Sequence, residues 1–109
     1  MLDHATIQSA VERLVAAASS PVRVIVFGSY GRGTADQGSD LDLMVIEREV
    51  TDKGAEYMRL MDALGPVASG IGVDLLIYPL NEFERRSQVP GTILFRARQE
   101  GRVLHDSLH

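Results

Sequence analysis

Residues 22–47 read VRVIVFGSYGRGTADQGSDLDLMVIE. Two runs rich in β-branched and apolar residues, VRVIVFG (22–28) and LDLMVIE (41–47), have the length and composition of buried strands. Four glycines lie between Gly28 and Gly38, among serine, threonine, aspartate and glutamine, which is a loop or a short helical turn inside a loop. A link of about a dozen residues with so much glycine does not hold a full crossover helix, so an antiparallel or irregular connection is expected. The second run opens with Asp40 and Asp42. Side chains alternate across a strand, so both acids share one face with Met44 and Ile46, while Leu41, Leu43 and Val45 take the other. An ionised carboxylate is costly to bury alone, and two at the entrance of an apolar strand call for a metal, a cation or a shared proton.

Outward from this stretch, helix and strand alternate. Ile7, Ala10, Val11, Leu14, Val15 and Ala18 recur at helical spacing, predicting an amphipathic helix over 4–19 that ends at Ser19-Ser20-Pro21. Residues 53–64 predict a second helix, with Thr51 or Asp52 as N-cap and Gly65-Pro66 as its stop. VDLLIY (73–78) reads as a third strand. Asn81 is expected to cap a short helix through Arg86, a further helix is predicted from Thr92 to Glu100, and RVLH (102–105) adds a small edge strand. The alternation indicates an α/β fold (α+β by some schemes), with a small mixed sheet of three or four strands flanked by helices. The helical crossover between the second and third strands predicts that this pair is parallel. With 109 residues, 45% of them hydrophobic, and no repeat or linker, the chain is expected to be one domain spanning 1–109.

The third strand repeats the theme, since Asp74 stands at its start on the face of Leu76 and Tyr78. If strands two and three are parallel neighbours, Asp74 faces Asp42 across roughly 5 Å. Three carboxylates then converge, and their all-oxygen character suits Mg²⁺ better than zinc. A pair of such ions activates an attacking oxygen and stabilises a leaving one in phosphoryl or nucleotidyl transfer. The plainer alternative is a turn closed by Ser39-Asp40, an arginine partner for Asp42 and a solvated Asp74. Gly28 and Ser29, directly after a strand, suit a sharp turn that presents N–H groups and a hydroxyl to a phosphate. The pattern is neither a P-loop nor GxGxxG opening a long helix. Arg32 has the reach for a phosphate or carboxylate, or for a surface role; Ser39 has either the turn before Asp40 or a phosphate. Phe27 and Tyr30 read as packing residues.

Composition excludes several classes. The net charge is −4, and Lys53 is the only lysine among eleven basic residues, so bulk binding to a nucleic-acid backbone is not expected. Arg85, Arg86, Arg96, Arg98 and Arg102 gather in the last quarter, interspersed with Glu82, Glu84 and Glu100 as on a solvated helical face. Cysteine is absent, which removes disulfides, thiolate-bound zinc and a cysteine nucleophile. His4, His105 and His109 are too scattered for a histidine metal cluster. No apolar stretch has the length of a membrane span, and no basic segment followed by an apolar one opens the chain, so a cytoplasmic protein is expected.

Gly28-Ser29, Arg32-Gly33 and Ser39-Asp40-x-Asp42, at this spacing, resemble the signature of the nucleotidyltransferase superfamily related to DNA polymerase beta. Chain length, the first helix, Asp74 in VDLLIYP and the closing EGRVLHD resemble its minimal nucleotidyltransferase (MNT) group over nearly the whole chain. The resemblance implies a nucleotidyltransferase fold, ATP as donor and two Mg²⁺ ions as cofactor. It implies that Gly28 and Ser29 contact the triphosphate, that Asp40 and Asp42 ligate the metals, and that Asp74 is the third carboxylate and helps deprotonate the acceptor hydroxyl. Arg32 and Ser39 would be supporting nucleotide-binding members. It further implies a HEPN-domain toxin as partner, neutralised by transfer of AMP to a toxin tyrosine. Two other functions are compatible with the residues: an antitoxin acting by binding alone, and a nucleotidyltransferase for a small molecule or an RNA end.

Overall fold

The computed structural model describes residues 1–65, 67 and 70–107. Its elements run α1 (His4–Ala17), β1 (Pro21–Phe27), α2 (Gly28–Arg32), β2 (Leu41–Glu47), α3 (Lys53–Leu64), β3 (Val73–Pro79), α4 (Leu80–Arg86), α5 (Ile93–Glu100) and β4 (Arg102–Asp106). The strands form one four-stranded mixed sheet in the order β3-β2-β1-β4. β1 is antiparallel to β2 and to β4, while β2 and β3 are parallel. Both expected pairings are therefore present, as is the edge strand. Among the described residues no helix is long and apolar enough to cross a membrane.

Strand alternation sorts the core into two layers. Val24, Val26, Leu41, Leu43, Val45, Leu75 and Ile77 pack under α1 through Ile7, Ala10, Val11 and Leu14, and under α3 through Leu60 and Leu64. On the opposite face, Ile25, Phe27, Met44 and Ile46 meet Phe83 of α4 and Leu94 and Ala97 of α5. β2 is buried on both faces, which is why its sequence is apolar without alternation beyond its first residues. Truncating a fully buried strand residue such as Leu43 removes packing on the α1/α3 side, at a cost of about 2–5 kcal/mol.

Helix ends follow local chemistry. Asp3 caps α1, accepting from the Thr6 backbone N–H at 2.8 Å; Asp52 caps α3 from Ala55 at 3.0 Å; Thr92 caps α5 from Phe95 at 3.0 Å. Each such cap contributes about 1 kcal/mol. Two helix ends differ from expectation, at α1 and α4. α1 stops at Ala17 rather than residue 19, because the N–H groups of Ser19 and Ser20 donate to Glu56 and Glu47, each at 2.9 Å, instead of continuing the helix. Asn81 does not cap α4: that helix begins at Leu80 behind Pro79, and the Asn81 side chain accepts from Glu82 N–H at 2.8 Å within the first turn. Gly65 ends α3 with φ of 47°, while Pro66 of the expected stop lies outside the described residues.

Candidate active site

The site forms where β1 ends and β2 and β3 begin. Antiparallel β1 and β2 pair Phe27 with Asp42, so the residue after Phe27 turns beside that carboxylate. Gly28 has φ of 65°, and a Cβ built on it would lie 2.0 Å from Asp42 Oδ2. Glycine is required twice over, for the left-handed backbone and for the close approach of the chain to the carboxylate. α2 then makes a short helix that closes at Gly33, φ 78°. Gly31 serves packing in the same segment, since a Cβ there would lie 2.6 Å from the Val26 carbonyl oxygen.

Parallel pairing brings the other acid. Asp42 and Asp74 are direct partners in the β2–β3 register, on the face that carries Met44, Ile46, Leu76 and Tyr78. Their carboxyl groups lie within hydrogen-bonding reach of each other, an arrangement that favours a shared proton over two charges. Burial, the hydrogen bond to Asp74 and the charges of Asp74 and Asp40 push the pKa of Asp42 up to about 6, with the charge of Arg96 acting in the opposite direction. Asp40 lies just ahead of β2, exposed, with its side chain against Gly72, where a Cβ would come within 2.2 Å of Asp40 Oδ1. Leu41 N–H donates to the Gly72 carbonyl at 2.9 Å, tying the two strand starts together.

Asp42, Asp74 and Gly28 are thus brought into one place, with Asp40 at its edge. Ser29 occupies the first turn of α2; its carbonyl accepts from Thr34 N–H at 2.9 Å, and its hydroxyl makes no hydrogen bond among the described residues. Arg32 is turned to the surface, pairing with Glu100 of α5 at 2.9 Å. Ser39 holds the turn, its Oγ accepting from Asp36 N–H at 2.9 Å. Tyr30 is buried, and its hydroxyl accepts from Leu2 N–H at 3.0 Å, as befits a packing residue. A cavity of about 210 Å³ opens at the acid pair, with walls that include Phe27, Leu76, Tyr57 and Ile93. Neither Arg96 nor Gly72 stands out in the sequence: the only trace of Arg96 is its i, i+3 relation to Ile93, and Gly72 reads as an ordinary turn residue.

No group of three or more acidic, histidine or cysteine side chains closes a cage among the described residues. The oxygen donors of Asp42 and Asp74, with Asp40 adding charge, fit a hard cation of the Mg²⁺ kind, which is held by one or two carboxylates together with water and substrate phosphates. A cation there would offset the charge of the pair in place of a proton.

Residues 7–99 match the family model of the nucleotidyltransferase domain. The chain belongs to that family. Nucleotidyl transfer is accordingly its enzyme class. No curated protein sequence matches the chain. Among solved structures it is similar to a chain of a toxin–antitoxin structure with AMP-PNP, with TM-score 0.67 and 23% identity over 98% of this chain and 76% of that one. A mutant of the toxin–antitoxin MntA–HpeT, with two aspartates two positions apart replaced by glutamate, gives TM-score 0.65 and 19% identity over 98% and 76%. A second MntA–HpeT mutant, with a tyrosine replaced by alanine, gives 0.60 and 20% over 99% and 76%. At these identities the likeness is one of fold, and this nucleotidyltransferase shares it over nearly its full length.

Proposed function

We propose that the chain transfers AMP from ATP to a hydroxyl of a partner toxin, a tyrosine of a HEPN-type protein, and so acts as its antitoxin. The observation that carries the reading is the register pair Asp42–Asp74, with the Gly28 backbone pressed against Asp42. It is supported by the fold shared with toxin–antitoxin structures, one of them holding an ATP analogue and another altered at a tyrosine.

In this reading Gly28 and Ser29 receive the triphosphate through backbone N–H groups and the hydroxyl. Asp40, Asp42 and Asp74 hold Mg²⁺, two ions in the full complex, which when bound supplies charge neutralisation at the phosphate oxygens. Asp74, exposed at the mouth of the cavity, accepts the proton of the acceptor hydroxyl. The acceptor oxygen forms a bond to the α-phosphorus, the bond from that phosphorus to the bridging oxygen of the β-phosphate breaks, and pyrophosphate leaves with the electron pair. Arg32 supports the site by bracing α2 against α5, and Ser39 by holding the turn that delivers Asp40.

Incubating the purified chain with labelled ATP, Mg²⁺ and the protein encoded beside it tests the reading. Label on that protein, absent with Asp42→Asn and with Asp74→Asn, is the expected result. Toxin protection that survives Asp42→Asn without any labelling would replace transfer by masking. Label on an RNA end or a small molecule would replace the acceptor.

A further inference from the structure

Helix α5 carries Ile93, Arg96 and Glu100 at the i, i+3, i+7 spacing that aligns side chains in one stripe. Both ends of the stripe have a placed contact. Ile93 lines the cavity with Asp42 and Asp74, and Glu100 pairs with Arg32 of α2 at 2.9 Å. The helix backbone also closes on α2, since a Cβ at Gly31 would lie 3.3 Å from the Glu100 carbonyl oxygen. Arg96, between them on the stripe, therefore lies on the side of α5 that runs from the acid pair toward α2. Its charge acts on Asp42, yet its guanidinium is exposed and forms no ion pair or hydrogen bond with the described residues. The neighbouring arginines are differently placed: Arg86 pairs with Glu82, and Arg102 lines a separate cavity beside Met1 and His4.

We propose that Arg96 binds the polyphosphate of the nucleotide, offsetting the charge of Asp42 when no nucleotide is bound and turning to the phosphates when nucleotide and cation enter together. The proposal rests on the nucleotidyl-transfer reading of the site. A cation at the carboxylates removes the field that draws Arg96 toward Asp42, and a phosphate offers the guanidinium two parallel hydrogen bonds. Arg96 lies outside the Gly-Ser and Asp-x-Asp signature, so the donor side of the site is completed by a helix that follows it by more than fifty residues of chain.

Calorimetric titration of the full chain with AMP-PNP and Mg²⁺, without acceptor, tests the assignment. Arg96→Ala is expected to raise Kd about ten- to a hundredfold, Arg96→Lys to recover part of the loss, and the KM for ATP to rise while that for the acceptor stays unchanged. Arg96→Gln serves the same comparison if the alanine variant melts earlier than the parent. Unchanged AMP-PNP affinity in a folded variant, or a loss confined to the acceptor KM, overturns the assignment. Transfer that survives Asp42→Asn would instead overturn the underlying reading, whatever Arg96 does.

Discussion

β2 carries an acid near each end, half-buried Asp42 and buried Glu47, and the two are treated in opposite ways. Asp42, near its start, meets Asp74 and Asp40, two further acids, while the charge of the exposed Arg96 acts on it in the opposite direction. Glu47, at its end, is fully buried and meets Glu56 of α3, but here the surroundings complete the pair. Ser20 N–H donates to Glu47 at 2.9 Å; the Ser19 N–H and hydroxyl donate to Glu56, both at 2.9 Å; Arg59 reaches Glu56 at 3.1 Å. Among the described residues no donor reaches the buried Glu47 Oε2 atom. Burial and the hydrogen bond to Glu56 push Glu47 up to about 7. Burial also opposes charge on Glu56, but the hydrogen bonds from Glu47 and Ser19 and the charge of Arg59 outweigh it and hold its pKa low. One pair is an internal clamp joining the α1–β1 turn, β2 and α3. The other is left short of positive charge, the condition in which a carboxylate pair takes up a cation.

The comparison is broken most forcefully by removing one acid from each end. Asp42→Asn is expected to lower AMP transfer by on the order of 10³-fold with an unchanged or raised melting temperature, because it deletes a charge that its neighbours oppose. Loss of folding in that variant would mean that the pair is structural after all. Glu56→Ala should do the reverse. It strands the Ser19 donors, Arg59 and Glu47, at a cost of about 3 kcal/mol, and chemical denaturation reads that loss directly.

A finer separation comes from pH. The folded pKa of Glu47 stands above its ordinary 4.5, so its contribution to stability is fully present below about 4.5 and is lost as pH rises through about 7. Asp42 behaves likewise, losing its contribution as pH rises through about 6. The cation-free chain should therefore melt progressively lower from about pH 4 to 7. Glu47→Gln keeps a donor toward Glu56 and an acceptor for Ser20, so it should leave stability at about pH 4 nearly unchanged and remove the upper part of the decline. An unaltered decline would show that the clamp carries no shared proton. The smallest effect is that of Mg²⁺ at pH 8, where binding at 100 times Kd adds about 2.7 kcal/mol and partial saturation less. The thermal shift should appear in the wild type and in Glu47→Gln but vanish in Asp42→Asn.

These two pairs also mark what was legible from residues alone. Asp40, Asp42 and Asp74 were visible because each interrupts an otherwise apolar strand at its start, and period-two alternation placed Asp42 and Asp74 on matching faces. Glu47 was hidden, because an acid at the last position of a strand reads as its solvated end. Nothing in 53–64 distinguishes Glu56 from the other polar positions of an amphipathic helix. Its partner, Ser19, lies 37 residues away, and the loss of α1's final turn follows from that long-range bond. Arg32 and Ser39 were left open between phosphate and surface or turn. Their observed contacts, to Glu100 and Asp36, depend on where α5 packs and how the turn closes.

By itself the sequence determined the alternation of elements, the parallel and antiparallel pairings, the glycine turn and the face on which the strand acids lie. All of these follow from local periodicity, glycine stereochemistry and connection length. Tertiary structure alone decided which acids are compensated and which are not. It set Asp42 against the Gly28 backbone, brought the helix bearing Arg96 alongside the acid pair, and enclosed Glu47 with Glu56, Ser19 and Ser20. The physical reason is that charge compensation depends on distance and burial, and residues far apart in the chain acquire both only when the helices dock on the sheet.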